Sequence, residues 1–200
     1  MSDSQVSTKV LTIPNLLTFL RMALIPVFAI MLVYHREAWA LAVFTVAGVS
    51  DGVDGFIARR LNQESELGTI IDPIADKLLM TTAFVMLTMA SVMGTPRHLP
   101  VPFWVTATVI GRDVAIVAIA GAINVMTGFR GFKPSWLGKA STFVQVVGVI
   151  LILIAAVFPS LGGFYLPTVY TTVVAFAVFS GFHYIFHVAK LMRQAEPPEI

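Results

Sequence analysis

Four aspartates, Asp51, Asp54, Asp72 and Asp76, lie close together between two apolar segments. The first two are three residues apart and the last two are four apart, so each pair shares one face of a helix. A carboxylate in or beside a bilayer is costly and normally faces a cavity, a partner or an ion. Ligand sets made only of oxygen suit Mg²⁺, Mn²⁺ or Ca²⁺. The spacing therefore predicts that two neighbouring helices hold one or two divalent cations, with a substrate pyrophosphate as a further ligand.

Small and basic residues surround these acids. Gly55 and Gly68 remove side chains where a substrate could approach the backbone, and Ala58 keeps the same face open. Arg59 lies one to two turns beyond Asp51 and Asp54 and can hold a phosphate. We expect this stretch to bind a phosphorylated ligand.

The acidic stretch is also compatible with a purely structural role or with ion transport. Each acid could pair with a nearby base, such as Asp51 with Arg59 or Asp76 with Lys77, and the glycines could simply pack helices. This structural role accounts poorly for the whole set, because glycine packing does not neutralise four acids. A cation transporter is the stronger rival, since carboxylates within membranes also mark ion pathways. Transporter sites, however, tend toward the bilayer midplane and toward broken helices.

Composition indicates a membrane protein. The chain of 200 residues is 57% hydrophobic and 12% charged, with a mean hydropathy of +0.85. Soluble domains carry about 25% charged residues. A net charge of +2 argues against a partner made of nucleic acid, and the absence of cysteine excludes disulfides and thiolate metal sites.

The hydrophobic pattern predicts an all-α integral membrane protein with six transmembrane helices, each of about 20 residues. We predict one domain over residues 1–200, with a loose N-terminus at 1–9 and a polar tail at 194–200. A short interfacial helix is expected before the first span, which ends near Val33. Pro73 is expected at a helix start. The other spans are predicted at 38–57, 68–90, 103–125 and 139–158, with a turn at 159–167 and a sixth span ending near Lys190.

The basic residues predict the orientation. Most of them fall on one side of the six spans, and only Arg36 and Arg97 fall on the other. The positive-inside rule then places both termini and the four aspartates on the cytoplasmic side. The polar start of the chain lacks an Ala-x-Ala-like site and shows no transit peptide, so we expect a bacterial inner membrane.

Two further features have open interpretations. Arg21, early in the first span, could extend to the lipid headgroups or could contact a phosphate. His183 and His187 are four residues apart, which can indicate a metal pair. Interfacial anchoring accounts for the two histidines better, because Tyr184 and Lys190 are nearby.

The acidic stretch resembles the signature of the CDP-alcohol phosphotransferase family. It matches Asp-x2-Asp-Gly-x2-Ala-Arg-x8-Gly-x3-Asp-x3-Asp in full, at eight fixed positions from Asp51 to Asp76. The resemblance extends through Ile13-Pro14-Asn15 and the six spans. It implies an integral membrane enzyme, usually a homodimer, that moves a phosphatidyl or similar group from a CDP-linked donor to an alcohol and releases CMP or a CDP-derived product.

The resemblance also implies roles for individual residues. Asp51, Asp54 and Asp72 would be metal ligands for two ions of Mg²⁺ or Mn²⁺. Asp76 would be the general base on the acceptor hydroxyl and a further ligand. The pocket for CDP would be lined by Asp51, Gly55, Ala58, Arg59 and Gly68, with Asn15 also touching the nucleotide. The acceptor would meet Arg112, Lys133 and Lys139.

The acceptor alcohol depends on which subgroup the chain resembles most. Phosphatidylglycerophosphate synthases, which use glycerol 3-phosphate, are similar in length and in the opening motif. They usually carry Arg-Glu at Arg112-Asp113 and a further arginine near Ala120, where this chain is apolar. Stretches at 48–59, at 99–102 with 111–114, and at 133–139 are more similar to the mitochondrial-type cardiolipin synthases, which use phosphatidylglycerol. We therefore favour transfer of phosphatidyl from CDP-diacylglycerol to phosphatidylglycerol.

Overall fold

The structure is a computed structural model that describes residues 13–61, 66–93, 99–127 and 136–195. In these ranges every regular element is a helix, which confirms the all-α class. Side chains at 13–15, 51–61, 66–70 and 190–195, and a few single positions, lie outside the description. The helices are α1 (Ile13–Val33), α2 (Glu37–Leu61), α3 (Glu66–Thr88), α4 (Ala90–Met93), α5 (Phe103–Thr127), α6 (Trp136–Val157) and α7 (Pro159–Ala195).

Three predicted boundaries are wrong. The expected interfacial helix is not separate, because α1 runs unbroken from Ile13 to Val33 with Pro26 inside it. Pro73 does not start a helix but lies inside α3, which loses one backbone hydrogen bond there because proline has no N–H. Residues 159–167 do not form a turn. They are the first turns of α7, which begins at Pro159, where the fixed φ of proline favours a helix start.

Four of the described helices are long and apolar enough to cross a bilayer. These segments are Leu16–Val33, Phe103–Val125, Trp136–Val157 and Gly163–Ala189. In α2 the apolar stretch among the residues whose side chains the structure describes is Glu37–Ser50. The charged residues of the acidic stretch lower the hydropathy of α2 and α3. The four apolar helices therefore indicate an integral membrane protein, in which α2 and α3 carry the aspartates.

A well-defined turn joins α1 to α2. His35 adopts the left-handed conformation (φ 52°), which histidine accepts more readily than most residues. The backbone N–H of His35 donates to the carbonyl of Leu32 (3.0 Å), and that of Arg36 donates to the carbonyl of Met31 (2.8 Å). These two bonds form a Schellman motif, which satisfies the last carbonyls of α1. The helix pair α1–α2 is thus closed tightly at this end.

Helix α1 is packed against both helices that carry the acidic stretch. It contacts α2 along its length and also contacts α3. Phe28 of α1 and Phe44 of α2 are fully buried, with ring centroids 5.5 Å apart. Beside this core, α6 packs against α7 and α2, and α5 packs against α7 and α3. The result is that α1 braces the acidic helices on one side while α5 approaches α3 on the other.

Candidate active site

The backbone places the aspartates as their spacing predicts. Asp51 and Asp54 lie in the last turns of α2, and Asp72 and Asp76 lie in the second and third turns of α3. Each pair therefore shares a helix face. The side chains of Asp51 and Asp54 lie outside the description, as do those of Gly55, Ala58, Arg59, Gly68 and Asn15, so their predicted roles remain predictions.

Asp72 is held by a side chain of another helix. The hydroxyl of Thr18 on α1 donates a hydrogen bond to Oδ1 of Asp72. Thr18 is buried and Asp72 is half-buried. A single hydroxyl donor on one oxygen fixes the rotation of a carboxylate and leaves the other oxygen available to a ligand. The sequence interpretation missed Thr18, although its spacing of three from Arg21 was the available signal.

Arg21 does not extend to the headgroups, so that interpretation is wrong. Its side chain is fully buried, with 0% exposure. It lies three residues after Thr18 and therefore on the face of α1 that contacts α3. A buried guanidinium is retained only where anionic or polar groups compensate for its lost hydration. Arg21 thus brings a permanent positive charge to the side of α3 that carries Asp72.

On the other side of α3, an ion-pair network connects Lys77 to α5 and α7. Nζ of Lys77 lies 2.6 Å from Oδ2 of Asp113, and Nη1 of Arg112 donates to Oδ1 of Asp113 at 2.7 Å. Nη2 of Arg112 donates to the hydroxyl of Ser180, which is fully buried. Lys77 therefore pairs with Asp113, whereas its sequence neighbour Asp76 was the suggested partner. One carboxylate here serves two cations, and the network begins at the residue that follows Asp76.

The network also accounts for the depth of Arg112. By residue count alone, and with the orientation that the basic residues predict, Arg112 would lie nearer the outer end of its helix than the predicted site. Because α3 begins at Glu66, Asp76 is itself three turns into that helix. The Lys77–Asp113 ion pair brings Arg112 near the part of α3 that carries Asp76, although α5 begins at Phe103 as predicted.

The other predicted residues are placed as follows. Lys139 lies in the first turn of α6 and is exposed. Lys133 lies outside the described residues. The rings of His183 and His187 stack with centroids 6.0 Å apart on α7. In the described part of the chain no three His, Cys, Asp or Glu side chains cluster as a metal site, so the histidine pair lacks a third ligand there.

Two acidic side chains that the structure describes, Asp72 and Asp76, are suitable ligands for a divalent cation. Asp72 and Asp76 offer carboxylate oxygen, the ligand type that hard cations prefer. The hydrogen bond from Thr18 orients Asp72 in the way that outer partners orient metal ligands. Asp51 and Asp54 would complete the set from α2.

Comparison with known proteins identifies the family. The family model described as CDP-alcohol phosphatidyltransferase matches residues 11–189, which include the acidic stretch and all the long helices except the end of α7. The chain belongs to the CDP-alcohol phosphatidyltransferase family. The resemblance of the acidic stretch is thereby confirmed, and the chain is an enzyme of phospholipid synthesis that transfers a phosphatidyl group. Enzymes of this family generally depend on divalent metal.

Several relatives carry names that differ in the acceptor. A putative cardiolipin synthase of Mycobacterium tuberculosis is 36% identical over 157 residues, which cover 77% of this chain and 70% of the relative. The human cardiolipin synthase (CMP-forming) is 35% identical over 194 residues, 86% of this chain and 61% of the relative. The CDP-diacylglycerol–glycerol-3-phosphate 3-phosphatidyltransferase of Salmonella choleraesuis is 36% identical over 148 residues, which cover 70% of this chain and 76% of the relative. Identity alone does not separate the two activities.

Proposed function

We propose that this phosphatidyltransferase is a cardiolipin synthase that uses CDP-diacylglycerol as donor and phosphatidylglycerol as acceptor, with release of CMP. The observation that carries the choice of acceptor is the state of Arg112. Its two terminal nitrogens are already bound to Asp113 and Ser180. A cation that is largely compensated suits the single negative charge of a phosphodiester better than the second charge of glycerol 3-phosphate.

A second position of α5, near the proposed binding site of the acceptor, also supports phosphatidylglycerol as the acceptor. Ala120 lies two turns beyond Arg112 on α5, where a further arginine would be expected for glycerol 3-phosphate. In this proposal Arg112 contacts the acceptor phosphate. Lys139 and Lys133 contribute positive charge at the start of α6 and before it. None of them would have to hold a phosphate dianion.

In this proposal the binding site for the donor, CDP-diacylglycerol, is formed by the acidic stretch. Asp51, Asp54 and Asp72 hold the divalent ions, Mg²⁺ or Mn²⁺, with Asp76 as a further ligand. Gly55, Ala58, Gly68 and Arg59 line the pocket for CDP together with Asp51, and Asn15 touches the nucleotide. When bound, two cations would screen the pyrophosphate charge and stabilise the leaving group. The hydrogen bond from Thr18 keeps Asp72 in the orientation that this task requires.

The chemical step uses Asp76 as general base. Its carboxylate accepts the proton of the acceptor hydroxyl as that oxygen attacks the phosphorus of the phosphatidyl group. The bond from this phosphorus to the bridging oxygen breaks, and the bridging oxygen leaves with CMP. Asp76 precedes Lys77, which ion-pairs with Asp113. The base therefore lies where the donor side of the site meets the acceptor side.

The arrangement in the membrane follows from the distribution of basic residues. We place both termini and the site on the cytoplasmic side of a bacterial inner membrane, with six helices crossing it. CDP and CMP are soluble, so a site at the cytoplasmic surface lets a nucleotide and a lipid meet. A homodimer is the expected assembly, as the family resemblance implies.

Release of CMP by the purified protein tests the proposal. CDP-diacylglycerol is supplied with Mg²⁺ or Mn²⁺, and phosphatidylglycerol or glycerol 3-phosphate is added in separate reactions. We expect CMP and cardiolipin only with phosphatidylglycerol. CMP only with glycerol 3-phosphate would establish the second candidate, phosphatidylglycerophosphate synthase, which the Salmonella relative favours. No CMP with either, together with ion flux in vesicles, would point to a cation transporter.

A further inference from the structure

An open groove runs along the contact between α5 and α7. Its volume is about 340 Å³, and apart from Arg112 its lining is mainly apolar. On α5 the lining extends from Ala107 to Ile119, which corresponds to about 18 Å at 1.5 Å per residue. That is close to the depth of one leaflet, half of a hydrocarbon core of ~30 Å. The groove has the length and the surface to take one lipid chain.

Small residues form this groove instead of closing it. Ala107, Gly111 and Ala115 follow one another at spacings of four on α5, and Ala177 and Gly181 do the same on α7. Such stripes usually allow two membrane helices to pack closely. At Gly111, however, an added Cβ would meet no atom within 4 Å. The stripe therefore leaves space beside the helix contact, and that space is open to the bilayer.

Arg112 places a buried positive charge in the wall of the groove. Its side chain is only 8% exposed. Nε is fully buried and has no hydrogen-bond acceptor among the residues that the structure describes. A lipid in the groove that carries a phosphodiester would bring a negative charge beside this cation, and bulk hydrocarbon would not.

The groove lies on the acceptor side of the site. The network from Lys77 through Asp113 to Arg112 connects the residue after the proposed base with the groove wall. The donor is proposed to bind at α2 and α3, and α2 packs against α1 and α6. A chain between α5 and α7 therefore approaches Asp76 from the side opposite to α1.

We infer that this groove binds one acyl chain of the lipid acceptor, with Arg112 beside the acceptor's phosphate. The inference rests on the proposed function, because only phosphatidylglycerol, and not glycerol 3-phosphate, has a chain to place there. It adds a reason for acceptor choice, namely that the groove can pack against an acceptor that carries hydrocarbon.

Two glycines of α5 provide a matched test. Gly111 lines the groove, whereas Gly121 lies two residues beyond the last lining residue of α5. An added Cβ meets nothing within 4 Å at either position, so both sites accept a side chain without a clash. Substitutions of Gly111 by Ala, Val and Leu fill the groove in steps, and the same substitutions of Gly121 are the controls. The full-length protein is assayed in mixed micelles with phosphatidylglycerol of long or short chains.

We expect Gly111→Leu to raise the KM for long-chain phosphatidylglycerol about tenfold, because the leucine side chain would overfill an occupied groove, with smaller effects for Val and Ala. The KM for CDP-diacylglycerol, the KM for short-chain phosphatidylglycerol and the Gly121 variants should be unchanged. Equal behaviour of Gly111→Leu and Gly121→Leu would overturn the inference, and so would a rise confined to the KM for CDP-diacylglycerol. Failure of the proposed function looks different, because the unmodified enzyme would then release no CMP with phosphatidylglycerol at all.

Discussion

Lys77 of α3 and Asp113 of α5 form an ion pair of 2.6 Å, and the second oxygen of Asp113 accepts a bond of 2.7 Å from Arg112. The three side chains differ in burial: Lys77 is 41% exposed, Asp113 15% and Arg112 8%. The single carboxylate is thus the centre of the network, and the network carries one net positive charge. Removal of each of these side chains should lower the free energy of unfolding by a different amount.

Asp113→Asn should destabilise the protein far more than Lys77→Met. Without the carboxylate, the mostly buried Arg112 loses its counter-ion, which costs about 3 kcal/mol. Lys77 is exposed enough to be hydrated on its own, so its removal should cost less than about 1 kcal/mol. Thermal unfolding midpoints in detergent measure both, with Lys77→Arg as the conservative control. Equal losses for the two variants would mean that Asp113 does not hold the network together.

Thr18→Val should weaken the response to metal more than it weakens the fold. Valine matches the shape of threonine but cannot donate to Oδ1 of Asp72. Loss of a partner that orients a metal ligand costs about 10–100-fold in metal affinity or activity. The readout is the Mg²⁺ concentration for half-maximal CMP release, with Thr18→Ser as the control that keeps the hydroxyl. An unchanged requirement in Thr18→Val would show that Asp72 needs no such orientation.

Asp76→Asn should lower the turnover number and leave the protein folded. The amide has the size of the carboxylate but cannot accept the proton of the acceptor hydroxyl. General base catalysis contributes roughly 10²–10⁴-fold, so we expect a loss of at least 10²-fold in CMP release. The unfolding midpoint serves as the control for folding. Turnover close to that of the unmodified enzyme would remove Asp76 from the role of base.

Removal of divalent metal should abolish transfer reversibly. A chelator should stop CMP release, and excess Mg²⁺ or Mn²⁺ should restore it, because oxygen ligands suit these ions. The same titration in Asp72→Asn should require more metal. Full activity of the protein after exhaustive treatment with chelator would exclude a role for metal in the reaction.

Gly148→Ala should destabilise the contact between α6 and α7. A Cβ at Gly148 would come within 2.7 Å of Cγ2 of Val173, a buried side chain. Valine has little rotational freedom in a helix, so the helices must shift at a cost of about 1–3 kcal/mol. Gly121→Ala is the matched control, since its Cβ meets nothing within 4 Å. Unfolding midpoints that do not differ between the two variants would contradict this close packing.

Much of the fold could be predicted from the sequence, and parts of the site could not. Apolar runs and aspartate spacing are local properties, so the helices and their paired acids follow from residue order. The start of α7 was missed because residues 159–167 were predicted as a turn, whereas Pro159 begins the helix. The partners of Asp72 and Asp113 come from other helices, at separations of 54 and 36 residues for Thr18 and Lys77. Spacing within one helix carries no information about such contacts, which is why the pairing of Lys77 with Asp113 could not be predicted.

The hydrogen bond between Thr18 and Asp72 has a consequence for biosynthesis. The hydrogen-bond donor, Thr18, precedes the acceptor, Asp72, by 54 residues in the chain. Helix α1 therefore leaves the ribosome before α3 is made. Asp72 is costly to bring into the membrane alone. It can instead enter beside a helix that already presents the Thr18 hydroxyl and the Arg21 guanidinium on the receiving face. The first helix would then act during insertion as a polar template for the acidic one, and changes at Thr18 or Arg21 should reduce the amount of inserted protein as well as its activity.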